Sequence, residues 1–140
     1  QDALVAWASR PPQLYRCKIG NTAIDNFPCT DLRTIDQLWV KYSKGRFGFS
    51  VQKRIWESVG GKPGEYDYEI FKKFGEKVDW YWKEEDYGKY WSDLTFSLNA
   101  PGGHLPVVCG GLVFWRWGVF EDEPWVLEGV LFSRVETCKL

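Results

Sequence analysis

The stretch Asp25-Asn-Phe-Pro-Cys-Thr-Asp-Leu-Arg-Thr-Ile-Asp-Gln-Leu-Trp-Val-Lys-Tyr-Ser-Lys-Gly-Arg-Phe-Gly-Phe-Ser-Val-Gln-Lys-Arg-Ile-Trp56 reads as two helices joined by a sharp reversal. Thr30 or Asp31 can cap the unpaired N–H groups at the start of the first helix. Ile35, Leu38, Trp39 and Tyr42 then fall at i, i+3, i+4 and i+7, one helical face. Ser43-Lys44-Gly45 stops it, with Gly45 suited to a left-handed cap. After Arg46-Phe47-Gly48-Phe49, Ser50 can cap a second helix whose Val51, Ile55 and Val59 share a stripe. Gly60-Gly61 and Pro63-Gly64 end that helix.

Outward from this pair the signals thin. A third helix is expected from Tyr66 to Phe74, with Ile70, Phe71 and Phe74 inward and Gly75 as its terminator. Trp80, Trp82, Glu84 and Asp86 alternate like a strand, yet Glu84-Glu85-Asp86-Tyr87-Gly88 reads as an exposed turn, and the pattern leaves both open. Asn99-Ala-Pro-Gly-Gly103 is a rigid reversal. Residues 107–120 are apolar, Gly-rich and β-leaning, and Trp125 to Cys138 can form a last helix with Val126, Val130 and Leu131 inward. Residues 1–24, with Pro11-Pro12 and Gly20-Asn21, read as a short helix or turn followed by an extended lead-in. The fold class is mainly α, a compact helical bundle with a short β-like segment toward the C-terminus. One domain is expected over 25–140, preceded by the lead-in.

With 140 residues the chain can close one hydrophobic core. A formal net charge of -1 gives no drive toward nucleic acid or an anionic membrane. No apolar run reaches the roughly 20 residues that span a bilayer. The outlier is aromatic content: nine Trp, nine Phe and seven Tyr, more rings than a small interior hides easily. Trp39, Trp56, Phe71 and Phe74 have helical spacing and belong to the core, with Phe47 and Phe49 packing between helices. The chain begins at Gln1 and contains no Met, which reads as a fragment or a processed form.

Catalysis finds no positive signal. His104 is the only imidazole, in a tight turn where a ring nitrogen is expected to bond local backbone, so a triad or a multi-His metal site has no material. Asp31, Asp36, Glu57, Glu84, Glu85 and Asp86 offer carboxylates, but none forms an identifiable acid–base pair. Cys17, Cys29, Cys109 and Cys138 lack a Cys-x-x-Cys pair, which argues against zinc, and their spacing leaves disulfide pairing open. Gly45-Arg-Phe-Gly48 is too short for a phosphate loop. Lys41, Lys44, Arg46, Lys53 and Arg54 form a basic cluster expected to be a solvated face.

The opening stretch and a second block, Leu94-Thr-Phe-Ser-Leu-Asn-Ala-Pro-Gly-Gly-His-Leu-Pro106, together resemble the signature of the Genomes Uncoupled Four family, with Phe132 to Lys139 a looser match. The resemblance implies an all-α core with a hydrophobic palm that binds protoporphyrin or magnesium protoporphyrin without covalent chemistry. The family presents that ligand to the large subunit of magnesium chelatase, and some members sit inside multidomain signalling proteins. Carried over residue by residue, the ligand contacts correspond to Tyr90, Trp91, Leu94 and Phe96, with Arg116 the nearest cation after the second block. The family's first helices, with a Trp-x-x-Ala-Asp segment, have no counterpart in residues 1–24. The resemblance also implies no required cofactor, no metal, and the reducing cytoplasm of a bacterial phototroph or the plastid stroma, hence free thiols. A protein-interaction or sensor domain that lost porphyrin binding is the rival reading, and an aromatic carbohydrate platform a third.

Overall fold

The computed structural model describes residues 24–65, 67–84, 87–89, 91–107 and 124–140. Helix α1 spans Cys29–Tyr42, α2 Phe49–Ser58, α3 Tyr68–Lys77 and α4 Pro124–Thr137. A two-stranded antiparallel ribbon, β1 Tyr81–Trp82 and β2 Tyr87–Gly88, pairs Tyr81 with Gly88 and Trp82 with Tyr87. A short 3₁₀ turn covers Trp91–Asp93. The described part is thus mainly helical, as the patterning predicts. The lead-in and the Gly- and Trp-rich segment lie outside it at 1–23 and 108–123, so the expectation of a β-like stretch there falls beyond the described residues.

The helix starts depart from the expected caps in an informative way. α1 begins at Cys29 with Pro28 as its boundary residue, and neither Thr30 nor Asp31 caps it. Pro28 has no N–H that needs an acceptor, and its fixed φ suits a helix entrance. Asp31 instead lies in the first turn, where a carboxylate favours the dipole. α2 starts behind Gly48, not Ser50. The Asp36 carboxylate of α1 accepts the Ser50 N–H at 2.9 Å, so one helix caps the next. Gly48 has φ +131, and a Cβ there would sit 2.8 Å from Asp36 Oδ1 and 2.9 Å from Val40 Cγ2. Only glycine permits both the turn and this close approach.

α3 is capped by Asp67, whose side chain accepts from Glu69 N and Ile70 N. It runs past Gly75, correcting the expected terminator: Gly75 is buried inside the helix, against Tyr81. The real stop is Asp79, at φ +61. Asp79 N–H donates to Glu76 O at 3.3 Å and Trp80 N–H to Gly75 O at 2.7 Å, a Schellman closure with aspartate where glycine is usual.

The core gathers along α4. Phe132 is fully buried, with ring centroids 5.0 Å from Trp56 and 5.5 Å from Phe74. Phe74 in turn meets Trp80 edge-on at 5.5 Å. Trp39, Phe47, Phe49 and Phe71 are buried too, as expected, and Val130 and Leu131 face inward from α4. Tyr42 does not follow its stripe: it lies exposed in the last turn of α1. Lys53 also departs from the solvated face predicted for it. Its ammonium bonds Glu57 at 2.5 Å and also Glu136 of α4, tying two helices together.

At the far end, Cys29 and Cys138 form a disulfide with Cα atoms 5.2 Å apart. This corrects the expectation of free thiols for these two residues; Cys17 and Cys109 lie outside the described residues. Arg33 donates to Cys138 O at 2.7 Å and Arg134 to Phe27 O at 2.8 Å, so hydrogen bonds close the same seam.

Candidate functional site

The segment Ala100 to Val107 is the best-fastened loop among the described residues. Gly103 N–H donates to Arg46 O at 2.7 Å and Gly48 N–H to Leu105 O at 3.0 Å, so the α1–α2 reversal grips it along its length. The Arg46 guanidinium adds a bond to Ala100 O. From α2, the buried Gln52 amide donates to both Gly103 O and Pro106 O, at 2.9 and 2.7 Å. Gly103 has φ +77, and a Cβ there would come within 2.6 Å of Ile55 Cδ1, which fixes the residue as glycine. The two sequence blocks are therefore one structural unit: the reversal between helices exists to hold the second block.

His104 carries the loop's other side. It is fully buried, and its ring reaches distant backbone, not the local turn expected from sequence. Thr95 N–H donates to Nε2 at 3.0 Å, which fixes the proton on Nδ1, and Nδ1–H donates to Val78 O at 2.6 Å. Both nitrogens are thereby spent on main chain, leaving none to activate a nucleophile. Trp80 Nε1–H donates to His104 O at 2.8 Å, closing the circuit.

Burial holds the His104 pKa below its ordinary value, against the opposing pull of the Val78 carbonyl and Asp79. Protonation would also place a proton on Nε2, where Thr95 already donates. The unfolded chain therefore binds a proton more readily than the folded one. Stability is expected to be constant above the unfolded-state value near pH 6.5 and to fall as pH drops through it, by up to about 1.4 kcal/mol per unit. Urea midpoints at pH 7.5, 6.5 and 5.5 check this; equal midpoints would contradict it.

Three of the sequence-derived site residues, Trp91, Leu94 and Phe96, lie in the described segment next to this circuit. Trp91 opens the 3₁₀ turn. Leu94 follows it, buried in the core cluster, where it seats the segment. Phe96 is half-buried and packs on the same cluster. Tyr90 and Arg116 lie outside the described residues. Leu98, which the sequence reading passed over, is 51% exposed on the same loop. Also missed was an ion pair beside the turn: Lys89 Nζ lies 2.5 Å from Asp79 Oδ1 and 4.0 Å from the centre of the Trp82 ring. A lysine between aromatics was its only sequence signal. Among the described residues no group of His, Cys, Asp and Glu could hold a metal ion, and no helix is long and apolar enough to cross a membrane.

Comparison with known proteins gives this arrangement a context. A family model described as GUN4-like matches residues 5–117. A Ycf53-like protein of Synechocystis sp. is 39% identical over 88 residues, 62% of this chain and 34% of that protein. The Arabidopsis thaliana tetrapyrrole-binding protein, chloroplastic, is 36% identical over 85 residues, 55% of this chain and 29% of that one. Both are full proteins of which the chain spans about a third. The ligand-free structure of Arabidopsis thaliana GUN4 superposes with a TM-score of 0.56 at 29% identity, covering 92% of this chain and 76% of that one. The structure of GUN4 from Chlamydomonas reinhardtii gives the same TM-score at 26% identity, covering 92% of this chain and 71% of that one.

Proposed function

This chain belongs to the GUN4-like family, and on that premise we propose that it binds a porphyrin of the protoporphyrin or magnesium protoporphyrin type without covalent attachment. The observation that carries the reading is the family match across residues 5–117, which includes both sequence blocks and the turn between them. A relative named for tetrapyrrole binding supports it. The role is that of carrier or regulator, with no catalysis and no required cofactor. The proposed partners are the large subunit of magnesium chelatase or a signalling protein that contains the unit, in the cytoplasm of a bacterial phototroph or the plastid stroma.

The physical logic of the site follows from the ligand. A macrocycle face is flat and apolar, and its burial contributes roughly 25 cal/mol per Å². Micromolar binding needs about 8 kcal/mol, while an exposed ion pair contributes about 0–1 kcal/mol. The faces must therefore supply most of the affinity. Tyr90, Trp91 and Phe96 are proposed to offer that surface, Leu94 to seat it, and Arg116 to orient a rim carboxylate.

Titration of the chain with deuteroporphyrin and magnesium deuteroporphyrin, followed by tryptophan quenching, tests the reading. Saturable, equimolar binding is expected, weakened about tenfold or more by Trp91→Ala or Phe96→Ala, since losing a buried aromatic face costs about 1.5–3 kcal/mol. Absence of saturable quenching, together with capture of the chelatase large subunit by the porphyrin-free chain, would favour a partner-recognition domain instead.

A further inference from the structure

Asp79 occupies a left-handed position that glycine would fill at less cost. A non-glycine residue held at such a φ points to a second task for its side chain. That task is visible: the carboxylate bonds the Lys89 ammonium at 2.5 Å. The Lys89 side chain is only 7% exposed against 40% for Asp79, so the cation is drawn inward, under Asp79 and over the Trp82 ring. Lys89 N–H also donates to Trp80 O at 2.8 Å, continuing the ribbon by one bond.

The placement along the chain is what gives this pair meaning. Lys89 stands just ahead of the 91–94 turn, and Thr95 stands just behind it. Thr95 N–H is held by His104, whose ring hangs from Val78 O. Both anchors therefore fasten to the same short segment after α3: Val78 O holds the rear anchor, and the Asp79 carboxylate with Trp80 O holds the front one. Leu94, buried between them, supplies an apolar foot.

We propose that Asp79 and Lys89 are positioning residues for ligand binding: their ion pair clamps the front of the 91–94 turn so that the backbone carrying Trp91 and Phe96 is set before the macrocycle arrives. The inference rests on the tetrapyrrole reading above. It excludes direct carboxylate recognition by Lys89 in the resting state, because that ammonium is already covered. When only a fraction of molecules has the binding geometry, the apparent dissociation constant rises by the inverse of that fraction. Releasing the clamp thus weakens binding without removing any ligand contact.

Asp79→Gly is the decisive variant because its two effects have opposite signs. It removes the carboxylate, which strands the inward-drawn Lys89 ammonium and costs stability, and simultaneously relieves the left-handed strain, so the melting temperature is expected to fall less than in Asp79→Asn, which loses the charge and keeps the strain. It also makes the chain more positive, which on charge alone would favour an anionic porphyrin. The expected result is nonetheless deuteroporphyrin binding weakened about tenfold, with faster hydrogen exchange at the amides of 91–94. Lys89→Met should do the same, and Lys89→Arg, which can still meet Asp79 and stack on Trp82, should bind like wild type. Unchanged or tighter binding in Asp79→Gly would overturn the proposal, as would a loss of affinity that only tracks a lower melting temperature. If wild type itself fails to bind while exchange at 91–94 still accelerates in Asp79→Gly, the tetrapyrrole reading has failed and not the clamp.

Discussion

Reducing the Cys29–Cys138 disulfide is expected to lower the unfolding free energy by about 4–5 kcal/mol. The estimate follows from the chain entropy released when a loop of this length opens, the two residues being 109 apart in sequence. At roughly 2–4 °C per kcal/mol for a chain of this size, the melting temperature should fall by about 10–20 °C. Melting curves with and without a dithiol reductant measure the effect, and Cys29→Ser with Cys138→Ser should reproduce it. The seam should not come apart in the native state, because Arg33 and Arg134 still bond across it. Ligand affinity at low temperature should accordingly survive reduction. A melting temperature indifferent to reductant would show that the pair contributes no cross-link in solution. In a reducing compartment, where such bonds are rare, the unit would work as a dithiol with this much less stability in hand.

The second large effect belongs to His104→Ala. The side chain is fully buried, so its removal leaves a cavity as well as two stranded backbone groups, Thr95 N–H and Val78 O. Each unsatisfied buried group costs about 1–3 kcal/mol, and the cavity adds to this, giving an expected loss of roughly 3–5 kcal/mol. His104→Gln is the useful contrast, since its amide can accept from Thr95 and donate to Val78; it should recover part of the stability and abolish the fall below pH 6.5. Denaturant unfolding of both variants decides the matter. Equal stability for wild type and His104→Ala would mean that the ring does not bridge those two segments.

Local chemistry in the sequence announced much of this architecture. The two stripes, apart from the exposed Tyr42, and the left-handed glycine after α1 are short-range patterns and legible as such, while periodicity only allows the last helix without settling it. Where the reading failed, the deciding partner lay elsewhere in the chain. Ser50 looks like a cap because it precedes the apolar stripe of α2, yet the acceptor is Asp36, fourteen residues earlier on another helix. Gly75 looked like a stop because glycine usually is one, but here it lets Tyr81 approach a buried helix surface. Lys53 looked solvated because helical spacing put it opposite the apolar stripe; Glu136 of α4 was invisible to that argument. The histidine was rightly read as structural, while its bonds to Val78 and Thr95 needed the fold. For the candidate site, the family signature points to the segment, while the Asp79–Lys89 pair beside it depends on a contact across ten residues that no local pattern reveals.

The nearness of Cys29 and Cys138 has a topological meaning as well. Everything from α1 through α4 hangs on a loop whose two ends meet within 5.2 Å. Such a unit behaves like a bead on a single stalk: it could be grafted into a surface turn of another protein without prying the host apart, because both attachment points occupy one spot.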